Sequence, residues 1–206
     1  MLRKLSRVLK IAHSQYSNLG FREFSALVFR SLFKIERIAI YSSDLANEIT
    51  RNDSHVDDGY IKKGDIADLA LSRRTMAAPP WELSCDLYDG VKDHFIYKKN
   101  GVIGHISWIY YKNDPNRIIE LRSDEGEVKY SLTLPEFRGK GIYPEALREV
   151  QRYLKEKGYK MLYICTREDN VASVRGIEKA GFTFIKRINL IKVLGMQVSK
   201  RYATGR

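Results

Sequence analysis

The segment that most restricts the fold of this chain is the stretch Pro135–Tyr143, with the sequence PEFRGKGIY. It follows the run Val128–Leu134, which alternates apolar and polar residues as a strand does, and it precedes a helical pattern. Gly139 and Gly141 lack a Cβ, so the turn can adopt positive φ angles and approach a ligand closely. Because the first amides of the following helix point outward at the positive end of its dipole, the segment predicts a phosphate or pyrophosphate site.

Two common phosphate loops do not account for this segment. The sequence contains no Gly-x-x-x-x-Gly-Lys-Ser/Thr, and its Gly-x-Gly lacks the third glycine of Gly-x-Gly-x-x-Gly. The segment instead resembles the acetyl-CoA loop of the GNAT acetyltransferases, Arg/Gln-x-x-Gly-x-Gly/Ala. In this chain the loop reads Arg138, Gly139, Lys140, Gly141, Ile142 and Tyr143. Tyr143 departs from the pattern, since the family prefers a small residue there.

A second motif lies where the same family has one. Asn170–Ser173 opens a helical segment that Ile177–Phe182 closes, which is similar to the family's Asn-x-x-Ser/Ala followed by Tyr-Glu-Lys-x-Gly-Phe. The resemblance is tight over Glu127–Ile188 and loose over Val56–Tyr111. It implies an α+β fold of GNAT type, with a mixed, mostly antiparallel central sheet flanked by helices.

The resemblance also implies that acetyl-CoA binds as co-substrate between the strand before the loop and an apolar strand predicted at Met161–Cys165. Backbone groups would serve the pantetheine, loop amides the pyrophosphate, and polar side chains the thiol end. These cofactor-binding residues are, in that order, Leu132, Thr133 and Leu134; Arg138, Gly139, Lys140, Gly141, Ile142 and Tyr143; and Asn170 and Ser173. Asn170 and Ser173 have an alternative interpretation as helix-capping residues, and the two roles are compatible.

The implied reaction is acetyl transfer to a primary amine, which must lose a proton before it attacks the thioester. Glu127 stands at the entry of the loop strand, where the family often has a general base. Its alternative interpretation is a solvated turn residue. Glu120 and Asp124 are weaker candidates for the base.

The departing thiolate needs a proton donor, which the family often supplies as a tyrosine. Ile177 occupies that position here and cannot donate. Tyr143 is the predicted catalytic replacement, with Tyr163 and Cys165 as other candidates, although such residues commonly pack in cores. The departures at Ile177 and Tyr143 leave a second interpretation open, a regulatory module that binds acyl-CoA without turnover.

The motifs do not identify the amine acceptor, which the resemblance implies to be a small molecule. The segments 77–82 and 113–124 are predicted to form its pocket, with four aromatic residues that either stack on the acceptor or pack in the core. These are Trp81, Trp108, Tyr110 and Tyr111. The N-terminal helical extension resembles that of GNAT-domain proteins found with surface-polysaccharide genes, which favours an amino sugar or sugar nucleotide.

The first 55 residues form a basic extension, and residues 56–206 form the predicted acyltransferase domain. The net charge is +11, and residues 1–40 contribute +6 of it through eight Lys or Arg and two Glu. Two amphipathic helices are predicted, at 2–12 and about 21–34. Residues 1–35 are expected to dock on the domain or on a second copy of the chain in a homodimer. The alternative is peripheral contact with an anionic membrane.

Several other classes of protein are disfavoured. No apolar run is long enough to span a membrane, and the N-terminus does not match a signal peptide, so we expect a cytoplasmic protein, with the membrane's inner face as the alternative place. Two cysteines and four scattered histidines predict no metal site. No helix-turn-helix, zinc or RNA-binding signature supports a nucleic-acid partner.

Overall fold

The computed structural model describes residues 33–47, 59–115, 118–193 and 196–202. The helices predicted at 2–12 and 21–34 lie outside these ranges, except for the last two positions, which belong to a strand. The described residues divide into two compact units: residues 39–186, and residues 33–38 with 187–202. In the described ranges, no helix is long and apolar enough to cross a membrane.

The described residues form strands and helices in a mixed order, with three consecutive strands in the middle of the larger unit. The strands are β1 (Phe33–Asp44), β2 (Tyr60–Lys63), β3 (His94–Lys99), β4 (Val102–Tyr110), β5 (Glu125–Thr133), β6 (Met161–Arg167), β7 (Thr183–Val193) and β8 (Met196–Tyr202). The α-helices are α1 (Ile66–Thr75), α2 (Cys85–Asp89), α3 (Ile142–Glu156) and α4 (Val171–Lys179), with 3-10 turns at Trp81–Ser84 and Pro135–Phe137.

The sheet has the predicted mixed, mostly antiparallel topology. Within residues 39–186 the strand order is β2-β3-β4-β5-β6-β1-β7. Neighbours from β2 to β5 are antiparallel, whereas β5 and β6 are parallel. In the smaller unit, β7 pairs with β8 in antiparallel register. The predicted α+β class with a GNAT-type sheet is confirmed.

Local sequence signals explain the elements around the loop. Asn100 and Gly101 adopt φ angles of 50° and 81°, as expected for a two-residue hairpin turn between β3 and β4. Helix α3 buries one stripe of side chains that recurs every three or four residues. Gly158 ends it with a φ of 80°, and the Tyr159 amide then donates to Leu154 O at 3.0 Å.

Two apolar clusters cover opposite faces of the sheet. One cluster includes Ile109 and Val128 and lies under α3 and α4. The other includes Ile106, Trp108 and Tyr110 and lies under the segment from α1 to α2. Because side chains alternate along a strand, every polar residue of β4 and β5 belongs to one of these two sides.

Candidate functional site

Strands β5 and β6 run side by side only over their first halves. The paired register joins Glu125–Val128 to Met161–Ile164. Beyond Val128, strand β5 continues to pair with β4 on its other edge as far as Thr133. The second half of β5 therefore has an edge toward β6 where the pairing of the two strands has ended. Such an edge can accept an extended ligand through main-chain hydrogen bonds.

A β-bulge interrupts β5 where the two strands separate. The register passes from Trp108↔Lys129 to Ile106↔Leu132, so two residues of β5 oppose one residue of β4. Tyr130, inside the bulge, has a φ of 49°. A non-glycine residue in this region carries strain of order 1–3 kcal/mol, and such strain is concentrated at functional sites.

The bulge determines which way the polar side chains of β5 face. Glu127 lies directly opposite Tyr110, so it shares the face that carries α1 and α2. After the bulge, Thr133 lies opposite His105, whose ring lies near Tyr143 at the start of α3. One strand thus presents a carboxylate on one face and hydroxyls on the other. Without the extra residue, side chains would alternate regularly from position 127 to position 133, and Glu127 and Thr133 would lie on the same face.

Glu127 is a wholly buried carboxylate, with 0% of its surface exposed. Neither carboxylate oxygen has a partner at good hydrogen-bond geometry among the described residues. Burial raises the pKa of the Glu127 carboxyl; the charge of the Lys129 ammonium opposes the shift, as do weaker interactions with the amides of Ile118 and Ile119 and with the Cys165 thiol. The alternative interpretation of Glu127 as a solvated turn residue is wrong, because β5 begins at Glu125, three residues earlier than predicted.

The other two carboxylates considered for the base are placed differently. Glu120 is exposed to solvent. Asp124 forms an ion pair with Lys160 at 3.1 Å, and this contact lowers the pKa of the Asp124 carboxyl. Glu127 alone of the three is buried and lies beside the opening between β5 and β6.

An aromatic cluster, defined as Trp81, Tyr110 and Tyr130, lies on the same face as Glu127. The Lys129 Nζ is 5.0 Å from the Tyr110 ring centroid and 4.8 Å from that of Tyr130. Trp81 meets Tyr130 edge to face at 4.8 Å and is 52% exposed. The Tyr110 hydroxyl donates to Asp89 Oδ2 at 2.6 Å. The cluster therefore joins solvent at Trp81 to the buried Glu127 region.

Two of the four aromatic residues predicted to stack on an acceptor have structural roles instead. Trp108 is fully buried, and its Nε1 donates to Glu82 O at 2.7 Å. The Tyr111 hydroxyl donates to Asp93 Oδ2 at 2.7 Å. Their hydrogen bonds hold the sheet to neighbouring segments. Tyr110 is likewise fully buried, with its hydroxyl on Asp89, which leaves Trp81 as the exposed residue of the four.

The glycine loop has the predicted conformation. Gly139 and Gly141 have φ angles of 77° and 74°. Helix α3 begins directly after Gly141, and no side chain caps it. The Arg138 amide donates to Pro135 O at 3.2 Å, and its Nε donates to Thr133 O at 3.0 Å. An uncapped start on a 15-residue helix, beside exposed basic side chains, fits an anionic group such as a pyrophosphate.

Gly104 in β4 anchors this loop, which sequence reasoning did not detect. A Cβ at Gly104 would lie 2.6 Å from the Phe137 ring, and that ring meets Tyr97 at 5.8 Å between centroids. The Leu134 amide donates to Gly104 O at 2.9 Å, so it already belongs to the sheet. Ladder bonds alternate along an antiparallel strand, so the backbone of Thr133 faces the opening instead. A glycine inside an apolar strand was the available signal.

The second motif brings Ser173 and Tyr143 together. The Ser173 amide donates to Asn170 Oδ1 at 3.2 Å, so the helix-capping role of Asn170 is confirmed. Ser173 Oγ lies 3.4 Å from Tyr143 Oη. The Tyr143 ring rests on Gly176, where a Cβ would come within 2.5 Å. Ile177 is buried in the core. Position 143 holds a tyrosine instead of the family's small residue, and Gly176 on the facing helix leaves room for its ring.

Tyr143 is the best placed of the three predicted proton donors. Burial raises the pKa of its hydroxyl to about 12, so the phenol stays protonated near neutral pH. Tyr163 donates to Glu125 at 3.4 Å, and Cys165 lies beside Glu127 on the opposite side of the sheet from Tyr143. Within the described ranges, no group of three His, Cys, Asp or Glu residues is arranged to hold a metal ion.

Comparison with known proteins agrees with this geometry. The family model for the acetyltransferase (GNAT) domain matches residues 45–183, which is more than half of the chain. No curated protein matches the sequence.

Several solved structures have a similar fold. A GCN5-related N-acetyltransferase from Sphaerobacter thermophilus aligns with a TM-score of 0.56 and 14% identity, covering 84% of this chain and 57% of that one. A GNAT-family acetyltransferase from Colwellia psychrerythraea aligns with a TM-score of 0.53 and 16% identity, covering 78% of this chain and 57% of that one. A GNAT-family protein from Novosphingobium aromaticivorans aligns with a TM-score of 0.53 and 17% identity, covering 76% of this chain and 63% of that one. This chain therefore spans about three fifths of those proteins. The domain match together with the shared fold shows that the chain belongs to the GNAT family of acetyltransferases.

Proposed function

We propose that this protein is an N-acetyltransferase that moves an acetyl group from acetyl-CoA to a primary amine of a small molecule. The observation that carries the proposal is the carboxylate of Glu127, which is fully buried and lies where β5 and β6 separate, with a raised pKa. Burying a carboxylate is costly to stability, and carboxyls with shifted pKa values are concentrated at catalytic sites. Membership of the GNAT family supports the same reaction.

The residues around the opening fit an elongated thioester with a pyrophosphate. Of the predicted backbone groups of Leu132, Thr133 and Leu134, those of Thr133 face the opening and would serve the pantetheine, whereas Leu132 and Leu134 bond toward β4. The uncapped start of α3 would receive the pyrophosphate on amides of the loop from Gly139 to Tyr143, with Arg138 and Lys140 adding positive charge. Asn170 and Ser173 would lie toward the thiol end. Acetyl-CoA itself supplies the activated acyl group.

Glu127 acts as the general base in this proposal. Its raised pKa makes the carboxylate a stronger acceptor for the proton of an incoming ammonium than an exposed glutamate is. The neutral amine then attacks the thioester carbonyl. Tyr143, on the other face of β5, donates a hydrogen bond and then a proton to the departing thiolate. Base and acid thus approach the reacting carbon from different sides of one strand.

The acceptor is proposed to be an amino sugar or a sugar nucleotide, bound at the aromatic cluster. Trp81 offers a half-exposed flat surface beside Tyr130, on which a sugar ring or a base can stack. Lys129 adds a positive charge next to this surface, which suits a phosphate-bearing acceptor. The Ile118–Ile119 backbone, from the segment predicted to line the pocket, interacts with Glu127.

The experiment is release of free thiol from acetyl-CoA with a panel of amines, including sugar nucleotides with amino groups, free amino sugars, amino acids and polyamines. Calorimetric titration with coenzyme A runs beside it. Turnover on one class of amine identifies the acceptor. Binding without turnover on any amine would favour the alternative, a regulatory module. The departures from the family's motifs at Ile177 and Tyr143 support that alternative. Absence of coenzyme A binding would refute the pyrophosphate site.

The basic segment 1–35 is proposed to dock on the domain or on a second copy of the chain in a cytoplasmic protein, with peripheral membrane contact as the alternative. The proposal comes from its charge and amphipathic pattern. Flotation with anionic liposomes compares the intact chain with a chain that begins at residue 36. Flotation of the intact chain alone would support membrane contact, and aggregation of the truncated chain would support docking.

A further inference from the structure

A buried polar network lies on the α3 side of strands β4 and β5. His105 is 1% exposed; its Nδ1 lies 2.8 Å from Thr133 Oγ1, and its Nε2 lies 2.8 Å from Ser107 Oγ. Ser107 Oγ in turn lies 2.8 Å from Ser131 Oγ. We call these four residues, Thr133, His105, Ser107 and Ser131, the His105 network. Its members are adjacent only because the bulge turns Ser131 and Thr133 toward His105.

The His105 network ends at the hydroxyl of Tyr143. The Ser131 hydroxyl interacts with this hydroxyl, which also lies 3.4 Å from Ser173 Oγ. The rings of His105 and Tyr143 are 5.7 Å apart between centroids. At the opposite end, Thr133 is half-buried at the beginning of the glycine loop. The network therefore connects the entrance of the proposed coenzyme site to the phenol of Tyr143.

The protonation state of His105 allows this network to transfer a proton. Burial lowers the pKa of His105 to about 3, so the ring is neutral near pH 7, with one N–H and one acceptor nitrogen. Each nitrogen faces a hydroxyl that can both donate and accept. All hydrogen bonds in the row then point in one direction, and shifting one proton at every link reverses that direction.

We propose that the His105 network is a proton relay that returns a proton to Tyr143 after Tyr143 has protonated the departing thiolate of coenzyme A. The inference rests on the proposed acetyltransferase function. The O–H bond of Tyr143 breaks as the S–H bond forms. Ser131 then gives its proton to Tyr143, Ser107 gives one to Ser131, and His105 gives its N–H proton to Ser107. Thr133 protonates the other nitrogen and takes a proton from water, and the hydroxide that is left is neutralised in solvent when Glu127 releases the proton that it took from the ammonium.

A relay of this kind solves an energetic problem at Tyr143. A free thiol has a pKa of roughly 8.5, whereas the pKa of the buried Tyr143 hydroxyl is raised to about 12. Proton transfer from the phenol to a thiolate is therefore unfavourable when it stands alone. Coupling it to proton uptake from water makes water the net donor, which is favourable below the pKa of the thiol. His105 acts through its neighbours and touches no substrate.

The test is a double-mutant cycle between Ser107→Ala and Tyr143→Phe, read as kcat for thiol release. Ser107→Ala removes one oxygen, so it breaks the network with little change in volume. We expect it to lower kcat roughly 10²-fold, the lower end of the range for acid–base catalysis, and to leave coenzyme A affinity unchanged. In the Tyr143→Phe background we expect no further loss, because the relay then has no acceptor.

Two further measurements separate a relay from a structural role. His105→Gln should behave like Ser107→Ala, whereas Ser43→Ala, a buried serine of β1 outside the network, should keep wild-type kcat. In mixtures of H2O and D2O, a plot of wild-type kcat against the deuterium fraction should be curved, because several protons move together. The same plot for Ser107→Ala should be straight.

Three results would overturn the relay in a protein that turns over: wild-type kcat in Ser107→Ala, an equal further loss in the Tyr143→Phe background, or a loss explained by weaker coenzyme A binding. If the wild-type protein releases no thiol with any amine, the proposed function has failed, and the relay fails with it.

Discussion

Replacement of Glu127 by glutamine is expected to change activity and stability in opposite directions. Glutamine keeps the shape of the side chain and resembles the protonated carboxyl, but it cannot act as a base. We expect kcat to fall roughly 10²- to 10⁴-fold, the usual contribution of a general base. We expect the free energy of unfolding at neutral pH to rise by on the order of 1–3 kcal/mol, because a buried carboxyl that resists ionisation in the folded state is replaced by a neutral group.

The stability gain should depend on pH in a defined direction. The pKa of Glu127 is raised in the folded protein above its unfolded value, near 4.5, so the folded state keeps the proton to higher pH. Stability of the wild-type protein therefore falls as pH rises from about 4.5 through the folded pKa, and stays lower above it. The variant lacks this penalty. The two proteins should have the same free energy of unfolding below about pH 4.5, and the difference between them should reach its full value above the folded pKa of Glu127.

Thermal unfolding followed by circular dichroism across this pH range, together with thiol release, measures both effects. Each kcal/mol corresponds to about 2–4 °C in Tm for a protein of this size. Glu125→Gln is the matched control, because Glu125 is a buried glutamate of the same strand that pairs with Arg122 at 2.7 Å. It should lower stability and leave kcat unchanged. Wild-type kcat in Glu127→Gln, or a loss of stability there, would refute the reasoning.

Three other changes have separate expected outcomes. Gly104→Ala places a Cβ against the Phe137 ring and displaces the glycine loop, so calorimetry should show weaker coenzyme A binding; unchanged affinity would contradict this. Arg148→Ala removes a buried guanidinium that pairs with Glu145 at 2.7 Å and donates to Lys179 O at 2.6 Å. Because Arg152 still pairs with Glu145, the loss should cost about 1–3 kcal/mol in denaturant unfolding. Trp81→Ala should raise KM for the amine without changing coenzyme A affinity, and a higher KM for acetyl-CoA alone would place the acceptor elsewhere.

The features that could be predicted from the sequence depend on neighbours along the chain. Gly139 and Gly141 adopt positive φ angles because the turn into α3 requires them, and Asn100 with Gly101 forms a two-residue hairpin turn for the same reason. The 3.6-residue period of α3 predicts that Ala146, Leu147, Val150 and Leu154 are buried, as they are, but it places Arg148 outside, where the structure buries it. The order of strand, loop and helix, with the second motif at Asn170, was enough to predict the family and the fold.

The features that could not be predicted depend on which residues meet across strands and helices. From the sequence, Glu127 could be either a general base or a solvated turn residue, because no signal in its neighbouring residues indicates that it is buried. Gly104 with Phe137, and Gly176 with Tyr143, are matched across 33 positions in each case, and only the packed structure shows that a Cβ would collide with the ring.

The tertiary structure also decided where the polar groups of β5 point. Side chains alternate with a period of two, so one extra residue at Tyr130 reverses the face of every residue that follows it. The sequence by itself determined a GNAT-type domain with a pyrophosphate loop, because those signals are local in the chain. The placement of Glu127 on one side of β5, and of His105 and Tyr143 on the other, came from strand pairing, because a bulge arises from the register between two strands and neither strand encodes it alone.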